Sequence, residues 1–124
     1  MMNVVDSSGW LAYFANDANA AQFAPIIQAT DSLLVPTICK YEVFKRILIQ
    51  RGEEDALRAV GIMSLGTSVE LTQEIAINAA QISSTSQLAM ADSIILATAR
   101  TSKATLWTQD ADFEHIEGVE YIAK

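Results

Sequence analysis

The sequence predicts an α/β domain: a mostly parallel central sheet with helices on both faces, three layers in all. Two observations predict it. Short apolar runs recur along the whole chain, at Asn3–Val5, Ser32–Val35, Ser68–Leu71, Thr105–Thr108 and Val119–Ile122. Between them lie longer stretches with helical spacing of apolar residues, opened and closed by cap and turn residues. Strands that alternate with helices are joined by crossovers, which makes neighbouring strands parallel and covers both faces of the sheet.

The elements follow in order. Asn3-Val4-Val5 is a strand running into Asp6. Ser8 to Ala15 reads as a helix, with Leu11 and Phe14 three apart and Trp10 beside them. Asp17 is placed to cap a second helix from Ala18 to Ala29. Ser32 to Val35 is the second strand, closed by Pro36. Thr37 is expected to cap a long helix reaching Gln50 and ended by Gly52. Glu53 to Met63 is a further helix, and Ser68 to Leu71 is a strand of period two. Thr72 then starts a helix whose inner stripe is Ile75, Ala76, Ala79 and Ile82, with Ser83 to Gln87 a polar loop. Leu88 to Thr101 is a strongly apolar helix, Thr105 to Thr108 a strand, Phe113 part of a turn, and Val119 to Ile122 the last strand. No repeat, linker or low-complexity segment interrupts the 124 residues, so a single domain over 1–124 is expected.

Composition narrows the function. The chain carries 15 acids against 8 bases, a net charge of −7, which excludes a general basic nucleic-acid binder. It does not exclude a metal-dependent site for phosphates, because two divalent ions would bring four positive charges to the substrate. Apolar residues make up 51% of the chain and mean hydropathy is +0.23, an excess that points to a buried interface with a partner. A single cysteine forbids an internal disulfide and fits a reducing cytoplasm. Neither a secretion signal nor a membrane span is expected: the start has no basic region, and Ala15 to Ala29 is broken by Asn16, Asp17, Asn19, Gln22, Pro25 and Gln28.

Four carboxylates sit in or beside apolar runs: Asp6 after Val4-Val5, Glu42 between Tyr41 and Val43, Asp92 after Met90-Ala91, and Asp110 after Leu106-Trp107-Thr108-Gln109. In open α/β sheets the site forms beyond the carboxyl ends of the strands, where Asp6 and Asp110 fall. Each has an ordinary reading. Asp6 alone is as good a helix N-cap as a ligand. Glu42, with Lys45 and Arg46 three and four residues on, could be half of a surface ion pair. Asp110 and Asp112 lie in a turn, where Asp is common. Asp92 is the sharpest case. It sits among Leu88, Met90, Ala91, Ile94, Ile95, Leu96 and Ala97, where a carboxylate is costly unless paired or metal-bound. Carboxylates gathered from the whole chain repel one another, and a hard divalent cation is the common compensation.

At this point the sequence resembles the PIN-domain nucleases, and most closely the VapC-type toxins of toxin–antitoxin pairs. The resemblance covers essentially the whole chain. It is carried by Val-Val-Asp-Ser-Ser-Gly-Trp-Leu at 4–11, Val-Pro-Thr-Ile-Cys-Lys-Tyr-Glu-Val at 35–43, Met-Ala-Asp-Ser-Ile-Ile-Leu-Ala-Thr-Ala at 90–99 and Leu-Trp-Thr-Gln-Asp-Ala-Asp-Phe at 106–113. It implies a PIN-like sandwich and a metal-dependent endoribonuclease. Asp6, Glu42, Asp92 and Asp110 would be its catalytic, Mg2+- or Mn2+-binding acids, with Asp112 a further candidate. Ser8 and Thr108 match hydroxyls bordering that site. The chain departs from the family at Cys39-Lys40, where small or apolar residues are commoner, which touches local packing alone.

The resemblance also implies an RNA substrate, a cognate antitoxin and, with the apolar excess, a homodimer. Between the two late acids, Asp110 is expected to be the stronger ligand, because it leaves the strand two residues after Thr108. Asp112 could instead cap a short helical turn at Phe113. Lys45 and Arg46 share a helix face with Glu42 and could hold substrate phosphates, although a solvated face explains them at least as well. His115 reads as a surface residue and Cys39 as a core residue. Two other classes stay open: a catalytically silent PIN-fold binding or scaffold module, and a metal-dependent DNA nuclease or phosphatase. The intact acids weigh against the first. Acids alone do not separate RNA from DNA.

Overall fold

A computed structural model describes residues 1–124. Five strands form one sheet: β1 Asn3–Val5, β2 Leu33–Pro36, β3 Thr67–Val69, β4 Thr105–Thr108 and β5 Val119–Tyr121. Their order is β3-β2-β1-β4-β5, and every adjacent pair is parallel. Six helices connect them: α1 Ser7–Ala15, α2 Ala20–Gln28, α3 Thr37–Arg51, α4 Glu53–Met63, α5 Gln73–Ser86 and α6 Met90–Thr101. From β1 the chain steps outward through β2 to β3, then crosses back past β1 to β4. Crossovers in opposite directions, each right-handed, place helices on opposite faces of the sheet. The reversal of direction falls at β1 and β4, the switch point where α/β sheets open a crevice.

The core is built as the apolar spacing expects. Val4, Val5, Leu33, Val35 and Leu106 of the sheet are buried together with Trp10, Phe23, Val43, Met63, Ile95 and Leu96 of the helices. A smaller cluster of Ile75, Ala79, Ile94 and Ala97 joins α5 to α6. One glycine is dictated by this packing. A Cβ on Gly9 would stand 2.6 Å from Val5 Cγ1 and 2.8 Å from Phe23 Cε1, so α1 meets β1 and α2 only without a side chain there. No helix is long and apolar enough to cross a membrane.

Several element boundaries differ from expectation. The second helix begins at Ala20, because Asp17 accepts the Ala20 N–H through its backbone in a turn rather than capping with its side chain. Pro36 belongs to β2 and holds the cap position of α3, which has no side-chain cap from Thr37. The third strand is Thr67–Val69, leaving Leu71 exposed outside it. Helix α5 runs through the expected loop to Ser86. There the hydroxyls of Ser84, Thr85 and Ser86 donate back to the carbonyls of Gln81 and Ile82, so polar residues extend the helix instead of breaking it. Ala76 faces solvent, so the inner stripe of α5 is Ile75 and Ala79 with Ile82 half-buried. Helix α6 starts at Met90, two residues late.

Candidate active site

The carboxyl ends of β1 and β4 and the first turns of α1 and α6 surround one cavity of about 360 Å3, with α3 forming its wall. Asp6, Glu42, Asp92 and Asp110 all line it, together with Ser7, Ser8, Tyr41, Lys45 and Arg46. The chain brings the four acids together from four separate elements.

Asp6 is fixed first. It leaves β1 as the N-cap of α1, and its Oδ1 accepts the Gly9 N–H at 2.9 Å. The ordinary cap reading and the cavity position therefore hold for the same side chain. Ser8 Oγ donates to Asp6 Oδ1 at 2.8 Å, and Thr108 Oγ1 donates to Oδ2 at 2.6 Å. Thr108 also accepts the Asp110 N–H at 2.9 Å, so a single hydroxyl ties the acid of β1 to the acid after β4. These donors favour the charged form of Asp6, but burial outweighs them and pushes its pKa to about 6.

Asp92 occupies the first turn of α6, where the helix dipole favours a negative charge. Partial burial, then the charges of Asp110, Asp6, Glu42 and Asp112, override that and raise its pKa to about 7. Carboxylate oxygens of Asp92, Asp110 and Asp112 lie within 4.8 Å of one another. This trio and the cavity-lining set overlap at Asp92 and Asp110. Asp112 is exposed at the rim yet close enough to join them, nearer than its place in the turn suggests. It does not cap the short helical turn Ala111–Phe113: Asp110 does, accepting the Asp112 N–H at 2.9 Å. Hard oxygen donors gathered in this way suit Mg2+ or Mn2+, and burial, with the neighbouring carboxylates adding to it, is what lifts the pKa values of Asp92 and Asp6.

Glu42 makes no ion pair with Lys45 or Arg46; the ion pairs between Arg or Lys and acids are those of Arg58 with Glu54 and Asp55. Its Oε1 instead accepts from Ser7 Oγ at 2.6 Å, a contact spanning 35 residues. Sequence reasoning missed Ser7; the one local signal was a hydroxyl beside Asp6. Tyr41, which the sequence sets beside Glu42 as at the mouth of a cleft but gives no role, is 60% exposed on the cavity wall with Lys45 Nζ 5.8 Å from its ring centroid. Lys45 and Arg46 are exposed on the same wall. Cys39 is fully buried, its thiol directed at the Val5 carbonyl and pushed upward in pKa by burial, which leaves it unreactive. His115 is exposed on a turn away from the cavity.

Residues 4–119 match the PIN domain. No curated protein sequence matches the chain significantly. Its fold is that of a toxin–antitoxin complex chain from Klebsiella pneumoniae, with a TM-score of 0.80, 23% identity, and 97% of this chain and 99% of that one covered. It is also that of VapC20 from Mycobacterium tuberculosis, a sarcin–ricin loop cleaving toxin, with a TM-score of 0.76, 16% identity and coverage of 93% and 95%. A DNA-bound VapBC from Salmonella typhimurium gives a TM-score of 0.76 at 17% identity, over 99% and 98% of the chains. At these identities the likeness speaks for the fold.

Proposed function

The chain belongs to the PIN-domain family, and from that premise we propose that it is a metal-dependent endoribonuclease, the toxin of a VapC-type toxin–antitoxin pair. The observation that carries this reading is the convergence of Asp6, Glu42, Asp92 and Asp110 on one cavity at the switch point of a parallel sheet. A structural role would not require so many acids in one cleft, one of them raised to a pKa of about 7 by burial and then by its neighbours' charges.

Asp92 and Asp110 are the proposed principal ligands of Mg2+ or Mn2+, with Asp6 and Glu42 completing the acidic set and Asp112 supporting it from the rim. A divalent ion held there supplies Lewis-acid charge and lowers the pKa of bound water. The chain's own residues do the rest. Ser8 and Thr108 hold Asp6 in one rotamer. Ser7 donates to Glu42, the proposed group for orienting the attacking water or accepting its proton. Lys45 and Arg46 are the proposed contacts for substrate phosphates.

We further propose a single domain over 1–124, a cytoplasmic location, a cognate antitoxin and a homodimer. Complexes among the structural relatives support the antitoxin. The exposed apolar side chains Leu71, Ile77 and Met90 at α5 and α6 support the dimer. Light scattering at micromolar concentration checks it, and a clean monomer near 13.5 kDa refutes it.

The deciding experiment incubates the purified protein with labelled RNA and DNA, in Mg2+, in Mn2+ and in EDTA. RNA cleavage abolished by EDTA and by Asp92→Asn supports the proposal. Cleavage of DNA alone makes it a DNA nuclease, and cleavage of neither makes it a silent PIN-fold module.

A further inference from the structure

Helix α3 presents Tyr41, Glu42, Lys45, Arg46 and Ile49 to the same cavity, a stripe repeating at one turn. Glu42 belongs to the acidic set, but the large aromatic beside it has no packing role. Tyr41 is 60% exposed and lies outside the core clusters, with the Lys45 ammonium 5.8 Å from its ring centroid. Lys45 and Arg46 are the only cations lining the cavity, and neither is committed to an ion pair. An exposed aromatic with one cation over its ring and another beside it, neither in an ion pair, at an anionic cleft is a pattern that suits single-stranded nucleic acid: bases stack on the ring while cations follow the backbone. It also answers an electrostatic difficulty. A chain of net charge −7 cannot hold RNA by general attraction, so affinity must come from local contacts.

We propose that Tyr41 is a stacking platform for the base of one nucleotide beside the scissile phosphate, and that this stacked base fixes which phosphate reaches the acids. The inference rests on the ribonuclease reading and adds to it a positioning residue for the substrate. A base inside a duplex already has both faces covered, so the platform accepts an unpaired nucleotide and rejects a paired one.

The test combines protein and substrate changes in Mg2+. A short single-stranded RNA is made with one base removed in turn at each position flanking its cleavage site, and KM, kcat and the cleavage position are measured. With the wild-type chain, loss of one particular base should raise KM about five- to a hundred-fold, the range of one aromatic–base stack. Tyr41→Ala should show a similar rise on intact RNA, spread cleavage over neighbouring phosphates, and be indifferent to removal of that same base. Tyr41→Phe should behave as wild type. Lys45→Ala and Arg46→Ala should each flatten the dependence of log affinity on log salt by about 0.7 while keeping the sensitivity to the missing base. If Tyr41→Ala cleaves at the same position with unchanged KM, or keeps the full penalty for the missing base, the platform is refuted and the ribonuclease reading stands. A wild-type chain that cleaves no RNA overturns both.

Discussion

Asp92→Asn separates a repelling acid from a structural one, because its effect should change sign with metal. In the metal-free chain burial and neighbouring acids lift Asp92 from 3.8 to about 7. For a wholly buried group that shift would correspond to about 4 kcal/mol; Asp92 keeps part of its surface in water, so a gain of roughly 1–2 kcal/mol on neutralising it is the expectation. Asn has nearly the same shape and no charge. Metal-free Asp92→Asn at pH 8 should therefore melt roughly 3–8 °C above wild type. At pH 5 folded Asp92 carries a proton but the unfolded chain has released it, so the difference should shrink to under half its pH 8 value, vanishing only below about pH 4. Saturating Mn2+ should reverse the order: an ion at a hundred times its Kd stabilises the wild type by about 2.7 kcal/mol, and most of that is lost with a principal ligand. Scanning calorimetry at pH 5 and 8, in EDTA and in Mn2+, covers all four conditions, and RNA cleavage should be abolished. A variant no more stable than wild type at pH 8, or one that Mn2+ stabilises as strongly, would refute the assignment of Asp92 to a metal-binding cluster.

Other consequences follow from the same geometry. Asp6 is raised to about 6 by burial, so the folded state holds its proton more tightly than the unfolded state; that stability is complete below about pH 4 and lost as pH rises through 6, on the order of 3 kcal/mol, with Asp92 extending the loss toward 7. Urea midpoints in EDTA should fall from pH 5 to 7.5, and a rise would contradict it. Asp110→Ala should remove most RNA cleavage at saturating Mg2+, while Asp112→Ala should cost about 10- to 100-fold, as for groups supporting a metal from outside its direct ligands; the opposite ranking in single-turnover assays means the two roles are exchanged. Gly9→Ala should destabilise by about 1–3 kcal/mol in denaturant titration, since its Cβ would press on buried Val5 and Phe23; a neutral result would mean α1 can shift away from β1.

The number and kind of elements were legible in the residues, because periodicity and caps are local. Val4-Val5 running into Asp6, and Leu106 to Thr108 running toward Asp110, announced strands with acids at their carboxyl ends, and both lie there. Asp92 betrayed itself by its apolar company. Local signals failed where two local rules competed. The hydroxyls of Ser84 to Ser86 read as a loop but bond back onto α5, and Asp17 offered a cap that its backbone supplied as a turn. Strand order was beyond local pattern altogether, since β1 pairs with β2 and with β4, the latter through partners such as Asn3 and Thr105 from opposite ends of the chain. The same holds within the site. That Ser7 holds Glu42, that Thr108 links Asp6 to Asp110, that Asp112 comes within reach of Asp92 and that Tyr41 faces the acids are consequences of helices docking on a sheet. The chain encodes which groups carry charge and where each element turns; distances between groups on different elements exist only once packing has fixed every element against the rest.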